Sequence, residues 1–310
     1  MQLDAVIAFF VLGALTVWLK APIKFPKSLY DSITLFLMLA IGLKGGLALQ
    51  EHASYNLIFQ SFFVILFGLL LPFIAYPLLR YFGMLDRINA GAIAAHYGSV
   101  SVGTYAVAVA LLESANIAYE AYFPLFVVLL EAPAIVVGIW LAKRQKKGTS
   151  GVKLDREIVI NQSILLLMGG LLIGYIGGGT VDKIMPFFGV LFPGILALFL
   201  LEMGIVAAKR LRELTHAAYF IAAFGMLMPI IGGSTGLLLA DMLQLSSGGM
   251  ALMATLGASA SYIAVPAAMR MSLPEADSGL SISTSLGVTF PFNVLVAVPF
   301  FIAVSQWLTV

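Results

Sequence analysis

The chain has 310 residues, of which 61% are hydrophobic and 10% charged, with a mean hydropathy of +1.03. A soluble domain carries about one quarter charged residues, so this composition excludes a soluble class and predicts an integral membrane protein. The absence of cysteine excludes disulfides and thiolate metal sites, and a net charge of only +2 gives no reason to expect a nucleic-acid partner.

Ten apolar segments follow one another along the chain, and each is long enough to cross a bilayer as a helix. We therefore predict an all-α fold of ten transmembrane helices. The N-terminus, Met-Gln-Leu-Asp, lacks the basic residues of a cleaved signal peptide, so the first segment is predicted to be a span. The segments cover residues 3–19, 29–49, 57–79, 88–112, 122–142, 158–178, 186–206, 216–240, 248–269 and 283–308.

Basic residues alternate between the connections that join these segments. Of the 17 lysines and arginines, only Lys44 and Lys183 do not follow an odd-numbered segment. By the positive-inside rule the basic connections are cytoplasmic, which places both termini outside. A wrong span count is the alternative, but one missed or added span would scramble the alternation.

The basic stretch Lys143–Glu157 divides the ten segments into two sets of five. Because five is an odd number, the second set must have inverted topology. We predict a first repeat at 1–147, a cytoplasmic linker at 148–157 and a second, inverted repeat at 158–310. Weak internal similarity supports this division, since Glu131-Ala132-Pro133 and Thr289-Phe290-Pro291 hold corresponding places in the fifth segment of each half.

Short runs of small polar residues interrupt the fourth and ninth segments. The first is Gly98-Ser99-Val100-Ser101-Val102-Gly103-Thr104 and the second is Gly257-Ala258-Ser259-Ala260-Ser261-Tyr262. Interruptions at matching places in two halves are typical of a secondary transporter's binding site, because a helix start attracts anions. The hydroxyls of Ser101, Thr104, Ser259 and Ser261 can donate to an anion or turn lone pairs towards a cation. Tight helix packing is the alternative use of such small residues.

Glu131 is the carboxylate nearest the middle of any segment, and a charge at that depth usually belongs to an ion or substrate pathway. Thr289 and Asn293 offer further oxygens at the corresponding place in the second half. Carboxylate, amide and hydroxyl oxygens suit a hard cation. We predict a sodium site formed by Glu131, Ser101, Thr289 and Asn293, with sodium as the coupling ion and no other cofactor. A protonated Glu131 bonded to a neighbouring helix is the alternative.

Lys44 lies near the predicted outer end of the second segment. It can extend its ammonium to the headgroups or attract anions to an outer vestibule. No nucleophile elbow, P-loop or His-Glu-x-x-His motif occurs, and all seven aspartates fall at segment ends or in connections, so an enzyme is not expected. Without a nucleotide-binding fold, transport is predicted to be secondary.

Several stretches of the chain resemble the cyanobacterial-type sodium-dependent bicarbonate transporter family. The similarity covers nearly the whole chain. The resembling stretches are Ile41-Gly42-Leu43-Lys44-Gly45-Gly46, Gly98-Ser99-Val100-Ser101, the run from Gly257 to Arg270, Pro274-Glu275-Ala276, and Ser285-Leu286-Gly287-Val288-Thr289-Phe290-Pro291-Phe292-Asn293.

The resemblance implies a ten-span inverted repeat in which a core domain moves against a gate domain. It also implies a homotrimer in a bacterial inner membrane that brings bicarbonate into the cell by symport with sodium. Another small anion is the alternative substrate, and an anion channel or a transport-inactive sensor is the alternative class. By this resemblance the family's substrate motif falls on Ser101, Val102, Gly103 and Thr104, with its partner on Ser259, Ala260 and Ser261. With Gly98 and Ser99 of the first interruption, the predicted substrate site comprises Gly98, Ser99, Ser101, Gly103, Thr104, Ser259, Ala260 and Ser261.

The chain departs from the family pattern at three places. It has Ser101-Val102-Gly103-Thr104 where the family has Ser-Gly-Ser-Thr, and it has Glu131 where the family has aspartate. The central linker is short beside that of the cyanobacterial members, whose partner is a trimeric PII-like regulator. These departures leave the identity of the anion and the binding of such a regulator open.

Overall fold

The computed structural model describes residues 4–20, 23–144, 162–213 and 218–309. Within these ranges the fold is helical, and the only extended pairing is an isolated antiparallel bridge between Tyr97 and Ala260. The predicted cytoplasmic linker at 148–157 lies outside the described residues.

Seven helices lie in the described part of the first half of the chain. Several begin at a side chain that accepts a backbone N–H of the first turn, including Asp4, Ser54 and Asp86, so short polar residues set the helix starts. The helices are α1 (Ala5–Trp18), α2 (Lys27–His52), α3 (Tyr55–Pro77, continued by a π-helical turn Leu78–Phe82), α4 (Arg87–Ala94), α5 (Val102–Ser114), α6 (Phe123–Leu130) and α7 (Pro133–Lys143).

Six further helices follow in the described part of the second half. They are α8 (Gln162–Gly177, continued by a 3-10 turn Gly178–Lys183), α9 (Met185–Glu213), α10 (Ala218–Met242), α11 (Ser247–Ala258), α12 (Ala264–Ser272) and α13 (Ser278–Leu308). Helix α13 contains π-helical turns at Ser283–Thr289 and Asn293–Ala297, each shortly before a proline. Proline lacks the N–H that a regular helical turn needs, which explains the widened turns.

Seven helical stretches among the described residues are long and apolar enough to cross a membrane. They are Lys27–His52, Tyr55–Phe82, Phe123–Lys143, Gln162–Lys183, Met185–Arg212, Tyr219–Met242 and Ser278–Leu308. Helices α1 and α5 are apolar but shorter, at 14 and 13 residues. The prediction of a multi-pass membrane protein is therefore confirmed, whereas the count of ten spans stays a prediction.

The exposed face of α3 is apolar along its length. Ile58, Phe62, Leu66 and Leu70 recur every four residues and are all exposed. Residues at this spacing lie on one side of a helix. A contiguous apolar stripe of this kind is unfavourable in water and is explained by contact with lipid.

Two pairs of long helices pack closely along each other: α1 with α9, and α2 with α8. Glycines allow the second approach, since a Cβ at Gly42 would lie 2.6 Å from the carbonyl oxygen of Leu167 and 3.0 Å from the Cα of Gly170. Small residues at helix contacts let backbones approach in this way in membranes.

Candidate functional site

The first interruption was predicted at 98–104, and in the structure residues 95–101 separate α4 from α5, while Val102, Gly103 and Thr104 already belong to α5. Ser101 ends it as the N-cap of α5, and its hydroxyl oxygen accepts the backbone N–H of Thr104 at 3.1 Å and the hydroxyl of Thr104 at 3.0 Å. Gly98 has a φ of +105°, which side-chain-bearing residues rarely adopt. A Cβ there would also lie 2.7 Å from the carbonyl oxygen of Gly68 on α3.

The second interruption, residues 259–263, separates α11 from α12 and crosses the first. The Ser259 hydroxyl accepts the backbone N–H of Ser101 at 3.0 Å, and the backbone N–H of Ser261 lies 3.0 Å from the carbonyl oxygens of both His96 and Ser99. The His96 ring nitrogen Nδ1 also contacts the carbonyl oxygen of Ser261. The two interruptions are therefore hydrogen-bonded directly to each other, and these polar groups are satisfied without water.

A small cavity lies where the interruptions meet. Its volume is about 10 Å³, which is close to what one water molecule requires. Residues of both interruptions line it together with residues of α2, the α6–α7 junction and α8. The polar lining residues are Ser101, Glu131, Ser163, Ser261 and Tyr262.

Glu131 presents a carboxylate to this cavity from the junction between α6 and α7. Its side chain is 1% exposed, and its Oε2 atom has no hydrogen-bond partner. The helix is interrupted at this point because Pro133 begins α7 and cannot continue the ladder of α6. The Ser99 hydroxyl donates to the carbonyl oxygen of Glu131 at 3.1 Å, which ties this junction to the first interruption. A buried carboxylate with one oxygen unpaired requires a proton or a cation to neutralise its charge.

Thr289 and Asn293 do not line the cavity of Glu131. The Thr289 hydroxyl is 2.7 Å from the Tyr97 hydroxyl and donates to the carbonyl oxygen of Gly225 at 2.8 Å. The Asn293 amide donates to the carbonyl oxygen of Ala258 at 2.8 Å, while its Oδ1 atom is buried without a partner. Of the four predicted sodium ligands, the structure brings only Glu131 and Ser101 to one cavity.

The remaining predicted substrate residues surround the cavity rather than line it. Gly103 lies in the first turn of α5, where a Cβ would be 2.5 Å from the Tyr262 hydroxyl oxygen. Ala260 pairs with Tyr97 through its backbone, and the Ser259 hydroxyl donates to the carbonyl oxygen of Leu256 at 3.2 Å. Together with Thr104, these residues fix the shape of the crossing.

Two polar lining residues were not predicted from the sequence as site residues. Ser163 is 3% exposed and belongs to the first turn of α8, next to the polar linker, where a serine looks like an ordinary helix end. Tyr262 follows the second interruption directly, and its hydroxyl is buried with no hydrogen-bond partner. Its position beside the interruption was the one available signal, whereas Ser163 had none.

Comparison with known proteins identifies the family. The family model of the Na+-dependent bicarbonate transporter superfamily matches residues 5–306, which is nearly the whole chain. A comparison with curated proteins returned no match. The matched region includes both interruptions, Glu131 and all the lining residues of the cavity. The chain therefore belongs to the Na+-dependent bicarbonate transporter superfamily.

Proposed function

We propose that this protein is a secondary active transporter that brings bicarbonate into the cell by symport with sodium. Membership of the superfamily supports the substrate and the coupling ion. The proposal is assigned to particular residues because a single buried cavity is lined by Glu131 and by serines of both interruptions, Ser101 and Ser261. A carboxylate suits the cation, and hydroxyl donors suit the anion.

The ten-span architecture is part of this proposal. In it, α4 with α5 and α11 with α12 each make one interrupted crossing, and α1 and the seven long helical stretches make the other eight. The packing of α1 on α9 and of α2 on α8 supports an inverted repeat. A two-fold axis that exchanges the repeats turns a contact between spans one and seven into a contact between spans six and two. These four helices correspond to the gate domain that the family resemblance implies, and the interrupted helices belong to the core domain.

Ser101 has the hydrogen-bonding capacity that an anion site needs. A hydroxyl oxygen has two lone pairs and one proton. Both lone pairs of Ser101 accept bonds from Thr104, so its proton is the part left to donate. Ser101 also caps the start of α5, where backbone N–H groups and the helix dipole favour negative charge. We therefore assign Ser101 to the anion, together with Ser261 and Tyr262.

Glu131 is assigned to sodium in this proposal. Its unpaired Oε2 atom is buried, and a hard cation would neutralise it at that depth. Asn293 Oδ1 is a second buried oxygen without a partner, although it lies outside this cavity. Since the cavity holds about one water molecule, it fits one small ion and not bicarbonate. Binding of the anion therefore requires the cavity walls from α2 and α8 to move away.

The orientation follows from the charge pattern, with both termini outside and the basic connections in the cytoplasm of a bacterial cell, in its inner membrane. A homotrimer is proposed from the family resemblance. Any contact with a PII-like regulator would involve the short linker at 148–157.

Uptake of labelled bicarbonate by proteoliposomes tests the proposal. The purified protein is reconstituted, and initial uptake is measured with an inward sodium gradient and with potassium in its place at equal ionic strength. Alkaline pH keeps membrane-permeable carbon dioxide low, and protein-free liposomes give the background. Uptake that requires the sodium gradient supports symport. Flux that ignores sodium would favour a channel, uptake of a different anion would change the substrate, and no flux of any small anion would favour a sensor.

A further inference from the structure

A second and larger cavity lies one helical turn from the small cavity that Glu131 lines, which we call the Glu131 cavity. On α2, Met38 lines the smaller cavity and Ile41 lines the larger; on α5, Val102 lines the smaller and Tyr105 the larger. The larger cavity has a volume of about 250 Å³. We call it the Lys44 vestibule, and its lining includes Lys44, Tyr105, Glu113, Tyr119 and Phe192. Pro124 at the start of α6 and Met185 at the start of α9 also line it.

Lys44 is held in the vestibule by two weak contacts. Its Nζ atom is 3.7 Å from Oε1 of Glu113 and 5.0 Å from the centre of the Phe192 ring. The side chains of Lys44 and Glu113 are 34% and 46% exposed, and ion pairs that are this accessible to solvent contribute little to stability. Lys44 can therefore exchange Glu113 for another anion with little change in the stability of the fold. Its ammonium keeps the cation–π contact with the Phe192 ring during such an exchange.

Glu113 has a donor besides Lys44. The Tyr119 hydroxyl donates to the same Oε1 atom at 3.0 Å. If Lys44 turned to another anion, the Glu113 carboxylate would keep this hydrogen bond and its access to water. Lys44 can therefore move away from Glu113 without leaving the Glu113 carboxylate unpaired.

We propose that the Lys44 vestibule is a capture site for a small monovalent anion, in which Lys44 exchanges Glu113 for the anion before the anion reaches the Glu131 cavity. In the predicted orientation the vestibule opens to the outside, where Lys44 and Lys183 are the only lysines or arginines of the sequence. The movement of the anion from the outside towards the Glu131 cavity rests on the proposed function. The binding of an anion by Lys44 does not rest on it and can be measured separately.

Opposite effects of two substitutions test the exchange. At saturating sodium, Lys44→Gln is expected to raise the KM for bicarbonate by about tenfold, the lower end of what charged clefts contribute. Glu113→Gln is expected to lower it, because the competing carboxylate is gone. A pair that only holds two helices together would shift KM in the same direction in both variants, and that result would overturn the proposal. Lys183→Gln, which removes an exposed charge from the same side, is the control and should leave KM unchanged.

A labelling experiment measures anion binding without transport. Ala121 is exposed and lines the vestibule, and the natural chain has no cysteine, so the Ala121→Cys protein carries a single thiol. An anionic thiosulfonate reagent is applied with bicarbonate or with gluconate at constant sodium. Bicarbonate should slow the labelling, and adding Lys44→Gln should abolish this protection. The Ala53→Cys protein, with its thiol in an exposed turn outside the vestibule, should show no protection.

The two experiments separate the two proposals. Protection at position 121 that depends on Lys44 supports the capture site even if uptake does not require sodium. Absence of protection, or protection that persists in Lys44→Gln, overturns the capture site even if sodium-driven uptake is found. Size-exclusion chromatography of each variant shows that the fold is retained, and the gain in apparent affinity expected for Glu113→Gln cannot come from misfolding.

Discussion

Replacement of Glu131 by glutamine removes the one charge in the cavity while keeping the size of the side chain. A charged ligand contributes more binding free energy to a cation than a neutral one does. Because Glu131 is buried, little water is present to replace the interaction that the carboxylate would make with sodium. We expect the loss to be about 2–3 kcal/mol, in the range found when a buried charge pair loses one member. Because every 1.4 kcal/mol is tenfold, the sodium concentration for half-maximal uptake should rise roughly 30- to 150-fold.

Sodium titrations of initial bicarbonate uptake give this quantity directly. Glu131→Asp keeps the charge on a shorter side chain and should fall between the natural protein and Glu131→Gln. Glu51→Gln removes an exposed carboxylate at the end of α2 and should leave the sodium dependence unchanged. Some effect on anion affinity is expected because the two sites are thermodynamically linked, so the larger effect is diagnostic. An unaltered sodium dependence in a folded Glu131→Gln protein would return Glu131 to a structural role.

Three further predictions concern the anion site, the backbone and the orientation. Ser101→Ala and Ser261→Ala should each weaken bicarbonate affinity by about 0.5–1.5 kcal/mol, seen as a higher KM at saturating sodium, whereas an effect confined to sodium would contradict the assignment. Gly98→Ala should lower the free energy of unfolding by about 1–3 kcal/mol in denaturant titrations, because its φ of +105° strains any side chain. Gly169→Ala is the control, because a Cβ there meets nothing within 4 Å. Equal stability of the two variants would show that the backbone conformation at Gly98 does not strain an alanine. A Gly148→Cys protein should not react with an impermeant thiol reagent in intact cells, and labelling there would reverse the predicted orientation.

The two interruptions were predicted from local composition, because small hydroxyl residues and glycines are unusual in an apolar run. The structure has residues 95–101 between α4 and α5 and residues 259–263 between α11 and α12, each displaced by a few residues from the predicted runs at 98–104 and 257–262. That each pair of helices forms one interrupted span stays a prediction. Glu131 could be singled out for the same reason, as a carboxylate in the middle of an apolar segment. Each of these inferences depends on a residue and its immediate neighbours along the chain.

Contacts between distant segments could not be predicted in this way. The sequence places Thr289 opposite Glu131 by repeat position, but in the structure the Thr289 hydroxyl bonds to Tyr97 and Gly225. Ser163 comes to the cavity because α8 packs along α2, and no local pattern records that packing.

The hydrogen bonds between the two interruptions also constrain how the gene can change over time. The Ser101 backbone N–H in one half has the Ser259 hydroxyl in the other half as its acceptor, 158 positions further along the chain. Loss of that hydroxyl would leave a buried donor without a partner, and a change near Ser101 would in turn leave Ser259 misplaced. Positions 101 and 259 are therefore expected to vary together among descendants of this chain. Each half therefore inherits a restriction imposed by the other.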